Sequence, residues 1–252
     1  METALFDKTL LPGLRALIPA AGKGSRAGLP FPKTLFQIRG KPILARIHEV
    51  LADYDPWPTV ITSPLGYQDV ADCLQRHSLP AHLVVQPEPR GMGDAVLRFA
   101  ESPAYVAAEH VLLVWGDIPF LQSGTVNAVL SAHAANGNDF TFATRHVDAA
   151  YTIVARNADG QVTEVRETRE SGMGNPTPGE RDIGLFVFRK EPVFALLRED
   201  LPGKRGGATG EFGFLYVIAE MARRGLRVEG IASGTALDAI SLNAMKDIEA
   251  FL

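Results

Sequence analysis

The sequence predicts an α/β fold, with a mostly parallel (mixed) twisted sheet, helices on both faces and a small β-rich lobe in the second half. Two patterns lead to this prediction. Over roughly the first 145 residues, short apolar runs bounded by turn residues alternate with segments of helical periodicity. From about residue 150, β-rich runs and loops rich in glycine and proline replace that alternation. Nothing in the composition resembles an interdomain linker, so we expect a single domain over residues 1–252.

The first half opens with "LRALIPA" (14–20), a continuous apolar run typical of a strand buried on both faces. "KPILARIHEVLADY" (41–54) then has apolar residues at helical spacing. The alternation continues with strands at 59–63, 81–86, 110–117 and 139–144 and helices at 66–77, 92–101 and 122–135. Because parallel strands need crossover connections, and these are usually helical, the order favours a Rossmann-like parallel sheet.

The second half begins with a predicted hairpin that turns at Asp159-Gly160, an Asp-Gly pair between two β-rich runs. Further along the chain we expect a loop at 171–180, a strand at 182–189, a short helix at 191–199, a loop at 203–210, a long helix at 211–225, a strand at 226–231 and a terminal helix from about 243. Gly225 is typical of the end of a helix.

Composition limits the classes of function. A net charge of −4 and a pI near 5.9 argue against a nucleic-acid partner. The single cysteine, Cys73, excludes an intramolecular disulfide and favours a reducing compartment. No apolar run approaches the length of a membrane span, and the first residues do not resemble a signal peptide. We therefore expect a cytoplasmic protein with no membrane partner.

The stretch "IPAAGKGSRAGLPFPK" (18–33) follows the first strand and combines three glycines with two lysines and an arginine. Backbone N–H groups and positive charge in such a loop suit an anion. "GKGSRA" matches the dinucleotide fingerprint, but no carboxylate ends the second strand, at Ser63. The P-loop pattern fails because Leu17 stands at its first glycine and Gly24 at its hydroxyl residue.

The whole stretch "LIPAAGKGSRAGLPFPK" instead resembles the signature of sugar nucleotidyltransferases. Three later segments resemble one branch of them, the N-acetylglucosamine-1-phosphate uridylyltransferases: "QPEPRGMGDA" (86–95), "LLVWGDIPFL" (112–121) and "GEFGFLYVIAEMARRG" (210–225). The resemblance runs from about residue 14 to 250. It implies a Mg²⁺-dependent enzyme that transfers a nucleoside monophosphate from a nucleoside triphosphate, UTP above all, to a sugar 1-phosphate and releases pyrophosphate.

In such a reaction several negative charges crowd together, so positioning and charge neutralisation carry most of the catalysis. We expect Arg26 and Lys33 to contact the phosphates and Asp117, at the end of a buried strand, to bind Mg²⁺. The resemblance implies that residues 14–145 bind the nucleotide and residues 146–240 the sugar. The nucleotide-binding residues would be Ala20, Ala21, Gly22, Lys23, Gly24, Gln86, Gly91, Met92 and Trp115. The sugar-binding residues would be Glu167, Asp182 and Gly184.

Several positions depart from the uridylyltransferase pattern. Ala150 and Thr152 replace two glycines on the sugar side, and Asp182 replaces an asparagine. Met92 replaces a threonine near the base. Ser241 stands where an asparagine would join the metal, with Asn243 and Asp238 as other candidates for that role.

These departures leave three interpretations open. The first is the uridylyltransferase reaction. The second keeps the fold but changes base and acceptor, as in cytidylyl transfer to an alcohol phosphate or guanylyl transfer to a molybdenum cofactor. The third is a nucleotide-binding module without turnover. The sequence predicts no particular oligomeric state.

Overall fold

In the computed structural model of the chain, the structure describes residues 6–22, 24, 28–170 and 177–252. Along the chain the main elements are β1 (Leu14–Pro19), β2 (Gln37–Ile38), β3 (Lys41–Pro42), α1 (Ile43–Leu51), β4 (Thr59–Thr62), α2 (Tyr67–Arg76), β5 (His82–Val85), α3 (Met92–Leu97), β6 (His110–Val114), α4 (Ser123–Asn136), β7 (Phe140–Ala150), β8 (Thr152–Arg156), β9 (Val162–Glu167), β10 (Thr177–Arg189), α5 (Lys190–Arg198), α6 (Tyr216–Arg223) and β11 (Val228–Ile231).

Within these described ranges, seven strands form the central sheet in the order β11-β7-β10-β6-β1-β4-β5. The four strands β6, β1, β4 and β5 are parallel to one another. β10 runs antiparallel to both β6 and β7, and β11 is parallel to β7. The predicted mixed, mostly parallel sheet is therefore confirmed, and it takes strands from both halves of the sequence.

Alternate residues of the buried strands face opposite layers, as the two-residue period of a strand requires. Ile18 packs into the layer that contains α1, α2 and α4, whereas its neighbour Leu17 packs into the layer that contains α3, α5 and α6. In the same way Leu185 and Phe186 of β10 face opposite layers. Helices thus cover both faces, which explains why the strands are apolar without interruption.

The predicted β-rich lobe of the second half consists of two hairpin-like parts. β8 and β9 pair antiparallel around the Asp159-Gly160 turn, where Gly160 has a φ of 80°. β7 continues to Ala150, well beyond the predicted end at 144, because its distal part pairs with the first half of β10. Residues 177–180 of the predicted loop therefore belong to β10, and residues 171–176 lie outside the described part of the chain.

Two helix predictions were wrong in length or type. The α-helix expected over 211–225 is reduced to α6, because Phe212 is held by backbone bonds to Arg90 and Gly93. The terminal helix expected from 243 consists of two 3₁₀ turns, at Met245–Asp247 and Glu249–Phe251. In the described residues no helix is both long and apolar enough to cross a membrane.

Candidate active site

The carboxyl ends of β1, β4, β5 and β6 meet at one edge of the sheet because these strands are parallel neighbours. The backbone N–H of Ala20 donates to the carbonyl of Ile61 at 2.7 Å, and that of Gln86 donates to the carbonyl of Thr62 at 2.8 Å. The segments that follow the strands are thereby held together at this edge. In open α/β sheets, ligands bind here.

The loop after β1 carries the predicted phosphate cradle, and the structure describes Ala20, Ala21, Gly22 and Gly24 of it. Gly24 has a φ of +71°, and a Cβ there would lie 2.8 Å from the carbonyl oxygen of Phe31, so the fold itself requires glycine. Among the described residues, a Cβ on Gly22 would meet only Lys33 Cε, at 3.7 Å, which is an ordinary contact. The predicted sites at Lys23 and Arg26 lie outside the described residues.

Lys33 and Asp117 meet across this edge, although they are far apart in sequence. Lys33 opens a 3₁₀ turn, Lys33–Leu35, and its Nζ lies 2.5 Å from Asp117 Oδ2. Each side chain is 17% exposed. Asp117 Oδ1 is sealed from solvent and has no hydrogen-bond partner in the described part of the chain. The pair thus has one carboxylate oxygen that the fold leaves unsatisfied.

Gly116 explains how Asp117 comes so close to the loop after β1. A Cβ at Gly116 would lie 2.5 Å from the carbonyl oxygen of Pro19, so only glycine permits this approach. On its other side, the carbonyl of Asp117 accepts the N–H of Leu242 at 2.9 Å. The segment around residue 241 is therefore fixed directly against Asp117.

Ser241 is buried in that segment, and its Oγ accepts a hydrogen bond from Asn243 Nδ2 at 2.8 Å. The alternative candidate Asp238 is fully buried and accepts hydrogen bonds from Gln122 N, Thr125 Oγ1 and Thr235 N. Asp238 is therefore a structural cap rather than an open ligand. Of the three candidates, the backbone bond brings Ser241 and its neighbour Asn243 next to Asp117.

The donor set fits a hard divalent cation that also binds substrate phosphates. No group of three or more His, Cys, Asp or Glu side chains converges in the described residues. Mg²⁺ usually takes one or two carboxylates and completes its shell with water and phosphate oxygens. The unsatisfied Asp117 Oδ1 fits that pattern.

Gln86 lies at the end of β5, and its side chain organises the loop that follows. Nε2 donates to the carbonyl of Gly91 at 3.1 Å and to Asp94 Oδ2 at 2.8 Å. Met92 is the first residue of α3 and is half-buried. The predicted base-contacting residues are thus neighbours in space as well as in sequence.

The glycines of "GMGDA" are needed for contact with Phe212. A Cβ at Gly91 would lie 2.5 Å from the Phe212 carbonyl oxygen, and one at Gly93 would lie 2.3 Å from the Gly213 carbonyl oxygen. The Phe212 N–H donates to Arg90, and the Gly93 N–H donates to Phe212. Sequence reasoning missed this contact and the role of Asp94, although two glycines so close together already indicate a close backbone approach.

Trp115 and Gly184 join the predicted nucleotide and sugar sides of the site. The Trp115 N–H donates to the Gly184 carbonyl at 2.9 Å. Gly184 has a φ of +81°, at an irregularity in the pairing of β10 with β7 between Asp182 and Phe186. A side chain at 184 would press on the Trp115 ring, at 3.2 Å. Trp115 Nε1 is buried without a partner in the described ranges.

Glu167 and Asp182 come together through Thr152. Thr152 lies opposite Glu167 in the β8–β9 pairing, and its Oγ1 donates to Asp182 Oδ1 at 2.5 Å. Burial raises the pKa of Glu167, an effect that Arg169 opposes and that the charges of Glu170 and Asp182 reinforce. Sequence reasoning treated Thr152 only as a departure from the pattern, whereas it links the two carboxylates.

Asp182 lies beneath the site surface rather than on it. It is fully buried, and its second oxygen accepts the Gly184 N–H at 3.0 Å. Burial raises the pKa of this carboxyl as well, while Arg181 and these hydrogen bonds oppose the shift. This geometry speaks against the direct sugar contact expected from the sequence, because both oxygens are already engaged and no surface remains for a ligand.

Comparison with known proteins identifies the family of the chain. The model of the MobA-like NTP transferase domain matches residues 16–201, from within β1 to just beyond α5. The chain belongs to this family. The match includes the loop after β1, the Lys33–Asp117 pair, Gln86 and the Glu167–Asp182 region.

The curated relatives include Bifunctional protein GlmU from several bacteria. The one from Exiguobacterium sibiricum is 29% identical over 231 residues, which is 90% of this chain and 50% of that protein. The one from Shouchella clausii is 26% identical over 233 residues, 92% of this chain and 50% of that protein. The chain thus spans about half the length of these relatives.

Among solved structures, one from Bacillus anthracis, described as a glucose-1-phosphate thymidylyltransferase, has a TM-score of 0.74 at 15% identity and covers 94% of this chain and 93% of that chain. The inositol-1-phosphate CTP transferase from T. maritima has a TM-score of 0.68 at 18% identity, over 89% of this chain and 88% of that chain. At such low identity these two matches establish the fold. Together with the family match, they confirm the resemblance to sugar nucleotidyltransferases.

Proposed function

We propose that the protein is a Mg²⁺-dependent nucleotidyltransferase that transfers a nucleoside monophosphate, preferably UMP from UTP, to a sugar 1-phosphate and releases pyrophosphate. One observation carries the proposal: Lys33 and Asp117 lie 2.5 Å apart at the ligand-binding edge of the sheet, and Asp117 keeps a sealed oxygen without a partner in the described residues. A cation and an adjacent unsatisfied carboxylate suit a metal-bound polyphosphate.

In this reaction an oxygen of the acceptor phosphate attacks the α-phosphorus of the nucleotide. A new P–O bond forms, the bond to the β-phosphate breaks, and pyrophosphate carries away the electron pair. Bound Mg²⁺ would supply neutralisation of phosphate charge, held by Asp117 with Ser241 nearby. Lys33 would turn from Asp117 to an α-phosphate oxygen and stabilise the charge that develops there. No covalent intermediate with the protein is needed.

The cradle loop supports the same assignment. Because a Cβ at Gly22 would meet only an ordinary contact at 3.7 Å among the described residues, packing against these residues does not explain glycine there. Close approach of phosphate oxygens to the backbone explains it. Arg26 and Lys23, outside the described residues, keep their proposed roles as further contacts to the phosphates.

The acceptor would bind on the side of residues 146–240, and the nucleotide on the side of residues 14–145. We propose that Glu167 accepts hydrogen bonds from acceptor hydroxyls and that Gly184 forms the floor next to Trp115. Asp182 acts below them by holding Thr152 and the Gly184 N–H in place. The two solved structures, described as a glucose-1-phosphate thymidylyltransferase and an inositol-1-phosphate CTP transferase, suggest sugar 1-phosphates and related phosphorylated alcohols as acceptors.

A panel assay tests the proposal. The purified chain is incubated with UTP, CTP, GTP or ATP and with a set of sugar 1-phosphates and inositol 1-phosphate, and pyrophosphate release is measured across a Mg²⁺ titration. We expect Mg²⁺-dependent release with at least one pair, and the most rapid release with UTP. Calorimetric binding of a nucleotide without release for any acceptor would instead indicate a binding module.

A further inference from the structure

Asp94 is a buried carboxylate in α3 that the proposed reaction does not use. Its Oδ2 accepts a hydrogen bond from Gln86 Nε2 at 2.8 Å, and its Oδ1 accepts one from Arg98 at 3.2 Å. Arg98 is itself anchored to Glu101 at 2.7 Å. Both oxygens of Asp94 are therefore acceptors, and the carboxylate is fixed against the Gln86 side chain.

These contacts determine which way the Gln86 amide points. A primary amide has two N–H groups and one carbonyl oxygen. The Gly91 carbonyl and Asp94 Oδ2 are both acceptors, and Gln86 Nε2 donates to each of them. The amide cannot be reversed without placing its oxygen against two other oxygens. No described residue donates a hydrogen bond to Gln86 Oε1. This oxygen is also absent from the fully buried atoms that lack a partner, so it keeps some exposure to solvent.

We propose that Asp94 is a positioning residue for base selection. It holds Gln86 as an obligatory hydrogen-bond acceptor, so that the site prefers a base that directs an N–H at Oε1, such as the imide of uracil. Cytosine in the same pose directs a lone pair at Oε1. This inference rests on the proposed function, because it assumes that the base lies at the end of β5.

The place of Gln86 in the sheet agrees with such a role. β5 is two strands away from β1 in the parallel set, a lateral separation of about 10 Å from the spacing of strands. A nucleotide with its phosphates at the loop after β1 can extend its base in that direction. A polar group of the site that the base leaves unpaired lowers affinity about tenfold or more, which is enough to select between two pyrimidines.

Asp94→Asn tests the inference because it keeps the size of the side chain but gives it an N–H that can face Gln86 Oε1. We measure kcat/KM for UTP and CTP with the full chain and one acceptor, together with calorimetric Kd values for both nucleotides without acceptor. Wild type should favour UTP over CTP by about tenfold or more. In Asp94→Asn the UTP/CTP ratio should fall by about threefold to tenfold, in part through a gain for CTP.

Two further variants distinguish a change in base selection from a general structural effect of the substitution. Glu88→Gln removes an exposed carboxylate from the same loop, one that pairs with Arg90, and should leave the ratio unchanged. Gln86→Met keeps the volume but removes the acceptor and should bring the ratio close to one even if Asp94→Asn does not fold. A structural role for Asp94 would lower kcat/KM for both nucleotides equally.

The inference is overturned if wild type prefers CTP or shows no preference, if Asp94→Asn keeps the wild-type ratio, or if Glu88→Gln shifts it as much. Its failure is distinguishable from failure of the proposed function. If pyrophosphate is released but the ratio does not move, only the role of Asp94 is wrong. If no nucleotide turns over, the proposed function fails, and the Kd ratios still test base selection.

Discussion

Asp117 and Asp182 are both aspartates that the sequence predicts for the site, yet the fold treats them differently. Asp182, within β10, is fully buried, and its two oxygens accept hydrogen bonds from Thr152 and from Gly184 N. Asp117, just after β6, pairs one oxygen with Lys33 and leaves the other without a partner among the described residues.

We propose that this difference separates a carboxylate that positions the backbone, Asp182, from a carboxylate that binds a ligand, Asp117. A buried polar atom without a partner costs free energy, so folded proteins rarely keep one without a reason. Asp182 has its hydrogen bonds and can stabilise the backbone around Gly184. Asp117 Oδ1 has no partner among the described residues, and a cation at the proposed phosphate site would supply one.

The largest effect is expected at Asp117. Asp117→Ala removes the proposed metal ligand and should lower Mg²⁺-dependent kcat by about 10³-fold or more. Pyrophosphate release across a Mg²⁺ titration measures this. Asp148→Ala, which removes an exposed carboxylate of β7, is the matched control and should behave as wild type. Undiminished activity of Asp117→Ala at ordinary Mg²⁺ concentrations would remove Asp117 from the metal site.

The second largest loss of activity is expected at Lys33. Lys33→Ala removes the cation expected at the α-phosphate and should lower kcat by about 10²–10³-fold, the scale for one preorganised donor. Lys41→Ala provides the comparison, because that lysine pairs with Glu49 on the surface. If kcat of the Lys33 variant stays within a few-fold of wild type, the ion pair with Asp117 is only structural.

The two described glycines of the cradle loop should separate binding from folding. Gly22→Ala should raise KM for the nucleotide about tenfold or more through misplaced phosphates, with little change in stability. Gly24→Ala should lower the unfolding free energy by about 1–2 kcal/mol or more, because its φ of +71° disfavours a side chain. Steady-state kinetics and denaturant titration measure the two effects. An unchanged KM in Gly22→Ala, together with a raised KM and unchanged stability in Gly24→Ala, would contradict the proposed phosphate cradle.

Asp182 should give the smallest effect, visible in the pH dependence of stability. Burial raises its pKa above 3.8, so the folded state keeps the proton to higher pH than the unfolded state does. Its contribution to stability is therefore full at low pH and is lost as pH rises through that raised pKa. Asp182→Asn removes this loss, so the Tm difference, variant minus wild type, should grow from acid to neutral pH. A Tm difference that stays constant or falls as pH rises would contradict the raised pKa of Asp182.

The sequence predicted the strands of the first half well, because a run such as "LRALIPA" is apolar without interruption only when both faces are buried. It failed at 211–225 and after 243, where helical periodicity is present but tertiary contacts override it. Phe212 bonds to Arg90 and Gly93, and Leu242 bonds to Asp117. Such bonds join segments more than a hundred residues apart and leave no trace in local periodicity.

The sequence by itself determined the alternating sheet, the glycine-rich loop and the polar residues that follow its strands. Only the tertiary structure decided that Lys33 meets Asp117, that Asp182 is buried beneath Gly184 and that Asp94 orients Gln86. The reason is physical: periodicity and turn chemistry act over a few residues along the chain. Whether a buried polar atom has a partner depends instead on which distant segments the packed core brings within about 3 Å of it.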